Sequence, residues 1–134
     1  MSEYSVKDEI RDEVLRTAGY AALWAAGAAN TIRESGWIQE EAQNDDGFCL
    51  LGALNYQNVD MFDHIAECEP EGFGAYGFGA YDVWLEVLGR VDAAIHGSRD
   101  GSLLWPEGRI EDWNDADGRT EDEVLEVLEK AARQ

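Results

Sequence analysis

Two cysteines, two histidines and a scatter of Asx residues are the side chains here whose type and spacing suit covalent or metal chemistry. Cys49 sits at the start of Phe48-Cys49-Leu50-Leu51-Gly52-Ala53-Leu54, a run that reads as a short, fully buried helix. A helix N-terminus lowers a thiol pKa. With His64 or His96 as base and Asn114 or Asp115 to orient the ring, Cys49 would be a nucleophile toward an acyl or peptide bond. The chain order Cys, His, Asn permits this. Enzymes of that kind carry the base on strands, however, and this chain offers few. A cysteine between Phe48 and Leu50 is ordinarily a small inert hydrophobe. The reading is a structural thiol, with Cys49, His64 and Asn114 as the residues a small hydrolase would use.

Asp60, His64 and Cys68 recur every four residues, so one helix projects all three from the same side, and Cys49 is a conceivable fourth ligand for zinc. No Cys-x-x-Cys or His-x-x-x-His pair accompanies them, and a solvated polar edge beside an apolar stripe gives the same spacing. Calcium fails on geometry. Placing Gly118 at loop position six puts Trp113 at position one and Val124 where the bidentate glutamate belongs, and Gly47 similarly puts Ala42 at position one. Residues 72–79, Gly-Phe-Gly-Ala-Tyr-Gly-Phe-Gly, match neither phosphate-binding glycine motif, and no lysine follows them. No cofactor is expected.

The aromatic residues suggest contact rather than catalysis. Phe73, Tyr76, Phe78 and Tyr81 alternate with glycines in what is expected to be an ordered aromatic loop between Glu71 and Ala80. Large rings with little side-chain entropy to lose are characteristic of binding hot spots. Trp37, Trp105 and Trp113 are candidates to extend that surface, and the competing reading folds the rings back as a lid on the core.

Charge bounds the partners. The 134 residues carry 29 acids against 10 lysines and arginines, a formal charge of −19. Residues 1–48, 49–96 and 97–134 carry −6, −7 and −6, so the acidity is a field over the domain rather than a tail. Such a surface repels phosphates and anionic membranes and attracts basic proteins, and a nucleic-acid mimic is one form of it. Solubility and salt adaptation are the bland alternatives. Hydrophobic residues at 45% and five tryptophans argue for a folded chain despite the charge.

These residues need helices to hold them. Ser5 can cap a helix bearing Val6, Ile10 and Val14, and Gly19 either breaks it near Thr17 or only weakens one long helix. Tyr20, Leu23, Trp24, Gly27 and Thr31 then form a close-packing stripe that ends at Ser35-Gly36. A polar turn over residues 40–47 leads to the Phe48–Leu54 helix. Asn58 to Cys68 is expected to turn Val59, Phe62, Ile65 and Ala66 inward, stopping at Pro70. Tyr81 to His96 carries the stripe Trp84, Val87, Leu88, Val91 and Ile95. Residues 98–108 read as a loop and Ile110–Asp115 as its continuation into a turn. Thr120 and Glu123 form a capping box, and Val124, Val127, Leu128 and Ala131 give the last helix its apolar face. The expected fold is all-α, one domain over residues 1–134 with about five or six helices. Two cysteines are too few for a disulfide framework, the N-terminus is polar, and the apolar stretch from Ala18 to Ile32 is too short to span a bilayer, so a cytoplasmic setting is expected.

Gly36-Trp37, Cys49-Leu50-Leu51-Gly52-Ala53-Leu54, and Trp113-Asn114-Asp115 followed by Gly118-Arg119-Thr120 and Glu123-Val124-Leu125 occur in a recognisable order. Together they resemble a family of small proteins of unknown function found in actinobacteria and their phages. The resemblance implies a small helical fold in a bacterial or phage setting and carries no activity. Read from the residues alone, Trp113 anchors a loop, Asn114 and Asp115 suit a turn, and Thr120 starts the helix. The functional expectation is a non-enzymatic acidic module that meets a basic protein surface, with the Cys49 hydrolase and a purely structural or self-associating domain as alternatives.

Overall fold

The computed structural model describes residues 6–69, 80–97 and 106–133, with side chains from Leu15, Tyr81 and Glu107 onward in the three stretches. Ser5, Pro70, Phe73, Tyr76, Phe78 and Trp105 lie outside the described residues. The described chain is helical: α1 (Val6–Ser35), α2 (Leu50–Tyr56), α3 (Asn58–Cys68), α4 (Ala80–His96), α5 (Pro106–Asn114) and α6 (Glu121–Arg133). One small antiparallel hairpin, β1 (Gln43–Asn44) with β2 (Gly47–Phe48), interrupts them. Among the described residues no helix is long and apolar enough to cross a membrane.

Of the two readings left open at Gly19, the structure has the single long helix. Gly19 lies at a point of α1 with no neighbouring atom within reach, and the alanine-rich flanks offset its cost of about 1 kcal/mol. Gly36 then closes the helix in the left-handed conformation, φ 99°, donating its N–H to Ile32 O at 2.7 Å. The face of α1 that packs is rotated from the predicted stripe: Ala21, Trp24, Ala25, Ala28, Ala29 and Ile32 are buried, whereas Leu23 is 53% exposed. Small side chains bring α4 and α6 close to the α1 backbone, and these three helices form the centre of the core. Val83, Val87, Leu88 and Val91 enter it from α4, and Val124, Val127, Leu128 and Ala131 from α6.

Three further corrections concern side-chain direction and element type. Phe48 belongs to β2 and Cys49 caps α2, so the second helix begins at Leu50. Along α3 it is Met61 and Ile65 that turn inward, while Val59, Phe62 and Ala66 face out. The segment read as loop and turn from Pro106 to Asn114 is helix α5. Proline suits its first position, where the missing N–H would have had no helical partner.

Polar ties fix the helices laterally. The buried Trp24 Nε1 donates to Leu54 O at 2.8 Å, joining α1 to the end of α2. Arg90, 4% exposed, donates from Nε to Glu86 Oε2 at 2.9 Å and from Nη1 to Ala131 O at 3.3 Å, so α4 caps the C-terminal end of α6. The buried Asp92 meets His96 Nδ1 at 3.0 Å and Arg109 at 3.4 Å, linking α4 to α5. Arg33 pairs with Glu129 between α1 and α6.

The predicted capping box is present at α6. Glu123 N donates to Thr120 Oγ1 at 3.2 Å, Thr120 N donates to Glu123 Oε1 at 3.0 Å, and Arg119 pairs with Oε2 at 2.9 Å. Desolvation pulls the Glu123 carboxyl upward, and the hydrogen bonds from Arg119 and Thr120 outweigh it, holding the group below its ordinary value. A depressed carboxylate stabilises above its unfolded pKa and stops doing so as pH falls through the folded one. The urea midpoint of Glu123→Gln is therefore expected below wild type from neutral pH down to about 5, with the gap closing below about pH 4. A gap independent of pH contradicts the assignment.

Candidate functional site

Where the N-terminal and C-terminal halves meet, one carboxamide makes every hydrogen bond it can. Asn114, wholly buried at the end of α5, accepts at Oδ1 from Trp37 Nε1 at 2.6 Å and from Leu50 N at 3.0 Å. Its Nδ2 donates to Ile38 O at 3.2 Å and to Asp115 Oδ1 at 3.0 Å. The Leu50 N–H is one of the donors that the first turn of α2 leaves without a helical partner. Gln39 adds bonds to Asn114 O and Ala116 O, each 3.0 Å, and Glu40 N donates to Asp115 Oδ1 at 2.8 Å. Residues 37–40 are thereby laced to the α5 end over a sequence separation of more than 70 residues.

Two glycines make this lacing sterically feasible. Gly47, at φ 145°, lies against Gly36, where a Cβ would overlap the Gly36 carbonyl; there Phe48 N bonds Gly36 O and Ile38 N bonds Phe48 O. A Cβ on Gly52 would overlap the Ala42 carbonyl, the group that accepts from Cys49 N at 3.0 Å.

The laced segments border an open pocket of about 140 Å³. Ala42, Cys49, Leu51, Gly52 and Asn55 line it with four carboxylate residues, Glu40, Glu41, Glu111 and Asp115, and no lysine, arginine or histidine is among the lining residues. The volume suits one charged side-chain head group, well short of the roughly 300–1,000 Å³ of a typical small-molecule site. Glu40 occupies the left-handed region at φ 70°, the one described non-glycine residue to do so. Such a conformation costs of order 1–2 kcal/mol in an L-residue.

Cys49 is part of this wall. Its Sγ accepts from Gly52 N at 3.1 Å, a side-chain cap on α2. Burial pushes the thiol above its ordinary pKa, and the charges of Asp115 and Glu111 add to the rise against the lowering by the Gly52 and Leu51 N–H groups. The structure brings Cys49 to within two residues of Asn114 in bonding terms, because Leu50 N is the Asn114 contact. It does not bring a histidine there: His64 lies beside Cys68, with Nε2 3.8 Å from Sγ, and His96 lies beside Asp92.

Of the three spaced residues on α3, His64 and Cys68 thus meet on the surface next to Tyr20 of α1, whose ring is edge-on to His64 at 5.9 Å. Desolvation, a hydrogen bond with Cys68 and the charge of Glu69 push the Tyr20 phenol up to about 12. Asp60 is exposed on the same helix. Among the described residues no group of three or more His, Cys, Asp or Glu side chains has the arrangement to hold a metal ion. Trp113 is half-buried under the Arg119 guanidinium, 3.9 Å above its ring, and Tyr81 is 66% exposed. Sequence reasoning missed the acidic pocket and the role of Asn114; the run Glu40-Glu41 and the pair Asn114-Asp115 were the available signals, and only folding joins them.

One family model matches residues 20–134, and its description is a family of unknown function. No curated protein and no solved structure matches the chain.

Two outcomes are expected at this site. Asn114→Ala leaves the Trp37 indole, the Leu50 N–H and the Ile38 carbonyl without a partner and destabilises the protein by about 3 kcal/mol in urea unfolding; a loss under about 1 kcal/mol would remove Asn114 from its central place. Iodoacetamide at neutral pH modifies the exposed Cys68 first and Cys49 at least ~10-fold more slowly, because burial withholds the reactive thiolate. Mass spectrometry of the two cysteine peptides reads the rates, and a Cys49 that keeps pace with Cys68 marks an activated thiol.

Proposed function

The chain belongs to DUF6197, a family of unknown function, and we propose from its own residues that it is an acidic, non-enzymatic interaction module that binds a basic surface of a partner protein. The carrying observation is the cavity walled by Glu40, Glu41, Glu111 and Asp115 with no cationic residue in its lining. It suits a lysine or arginine head group presented by the partner. A guanidinium fits best, since its planar fork donates to several carboxylate oxygens at once.

The rest of the surface supports that reading. Arg16, Arg33, Arg90, Arg109 and Arg119 each pair with a carboxylate of the protein itself, so these cations face neighbours rather than a partner. The excess of carboxylates faces outward and steers a basic partner from a distance. A surface of this kind can occupy a site that otherwise grips nucleic acid, as an inhibitor encoded by a phage or a regulator of its host would. The strained Glu40 fits a residue kept for contact at a cost in stability.

A fluorescent oligoarginine peptide tests the reading. Its affinity is expected to fall by at least about tenfold between ~50 mM and ~500 mM salt, since exposed charges are screened over a Debye length. The triple variant Glu40→Gln, Glu41→Gln, Glu111→Gln is expected to weaken binding by about tenfold more than the equal-charge control Glu34→Gln, Glu121→Gln, Asp122→Asn. Glu40→Gly is expected to raise stability by up to about 1 kcal/mol while lowering affinity. Salt-insensitive binding, or a rim variant no weaker than its control, overturns the proposal.

A further inference from the structure

Helix α3 carries apolar side chains on two faces. Met61 and Ile65 fill the core at 7% and 4% exposure. Val59, Phe62 and Ala66, at i, i+3 and i+7, form a second stripe that faces out, with Val59 71% and Phe62 41% exposed. On α4, Tyr81 and Leu85, one turn apart, are 66% and 44% exposed.

The two stripes converge on one indole. Trp24, itself buried, meets Phe62 edge-on at 5.8 Å and Trp84 at 5.2 Å, and Trp84 is the residue next to Leu85. Phe62 of α3 and Trp84 of α4 thus meet over one indole, with Val59 one helical turn from the first and Leu85 next in sequence to the second, and this apolar strip is the trough between α3 and α4. Its margins are acidic. Asp60, Asp63 and Glu67 are exposed along α3, which has no lysine or arginine, while on α4 Glu86 is paired with Arg90. The one arginine of α4, Arg90, is buried against Glu86 and Ala131.

We propose that this trough is a docking groove for an amphipathic helix of a partner protein whose apolar ridge is flanked by lysine or arginine. An apolar stripe bordered by carboxylates is complementary to that occupant in both respects, and helix-in-groove recognition uses apolar anchors at this spacing. A second copy of this chain fits poorly: it would bring another −19 and the same acidic margin against the first. The inference rests on the reading of the chain as an acidic interaction module and adds a surface apart from the Glu40–Asp115 cavity.

The probe is a fluorescein-labelled designed helix of ~18 residues with leucines at i, i+3, i+4 and i+7 and lysine and arginine flanks, measured by anisotropy against the full chain. Val59→Ser with Leu85→Ser removes exposed groups, so the fold persists, as circular dichroism reports, and affinity is expected to drop by at least about tenfold. Asp60→Lys with Asp63→Lys is expected to weaken binding similarly, while Glu34→Gln, Glu121→Gln, Asp122→Asn, away from both the trough and the cavity, leaves it within about twofold. The same helix with glutamate flanks is expected not to bind, and a scrambled basic peptide to bind at least about tenfold more weakly. Undiminished binding to the Val59/Leu85 variant, or equal binding of the scrambled peptide, overturns the groove; where that residual binding still depends on the cavity rim, the acidic-module reading stands alone. Failure of every basic peptide to bind overturns both. A dimer in light scattering that Val59→Ser and Leu85→Ser dissociate overturns the proposed occupant in favour of self-association.

Discussion

A buried asparagine side chain is what the arrangement around the cavity depends on. Asn114 has two acceptor positions and two donors, and Trp37, Leu50, Ile38 and Asp115 occupy all four. Buried polar networks are worth most when complete, because each missing partner leaves a desolvated group behind. The consequence is geometric as well as energetic. Residues 37–40, the start of α2 and the end of α5 have no extended sheet to align them, yet they form one wall because each is bonded to this residue or its neighbours. The pieces Gly36-Trp37, Cys49–Leu54 and Trp113-Asn114-Asp115, far apart along the chain, are the pieces that meet here.

The node also explains how a chain of −19 keeps a defined shape. Its stability lies in neutral contacts, an alanine-rich α1 against the apolar faces of α4 and α6, and a carboxamide that carries no charge. Salt bridges supply little of it. Exposed pairs such as Arg33 with Glu129 contribute about 0–1 kcal/mol, and the buried Arg90 offsets its desolvation with Glu86 and the Ala131 carbonyl. Self-repulsion among the remaining carboxylates is then a load the core tolerates, leaving the surface free to be acidic throughout.

The helical class and the α6 boundary were legible because both rest on local rules. Thr120 and Glu123 cap a helix three residues apart, and Val124, Val127, Leu128 and Ala131 fall on one face and are all buried. Where tertiary contact decides, the pattern misled. Alanines that look like filler on α1 are the packing surface, since closeness of backbones rather than side-chain size selects them. Asn114 and Asp115 have turn chemistry by type, and burial converts the first into a bonding centre. Pro106 reads as a loop residue although it opens α5. On α3 the periodicity allows two apolar faces, and only packing in the core, which takes Met61 and Ile65, shows which one is covered. The acidic cavity joins residues 40–41 to 111–115, a distance along the chain that no local pattern spans.

Charge alone cannot make such a protein selective. At physiological ionic strength the field decays over about 8 Å, so by itself it would attract basic proteins of every kind and discriminate weakly among them. Discrimination needs surfaces that reward one shape at contact distance. In the proposed function the cavity would do so through four carboxylates around a space of one head group, of which Asp115 is tied to the Asn114 node and to the Glu40 backbone. The proposed α3–α4 groove would do so through apolar groups that a merely basic, unstructured segment has no means to cover. Single exposed apolar residues such as Leu15, Leu23 and Tyr56 are ordinary on a protein surface, and what the groove proposal rests on is that Val59, Phe62 and Ala66 share one face of α3 and that Phe62 reaches the buried Trp24.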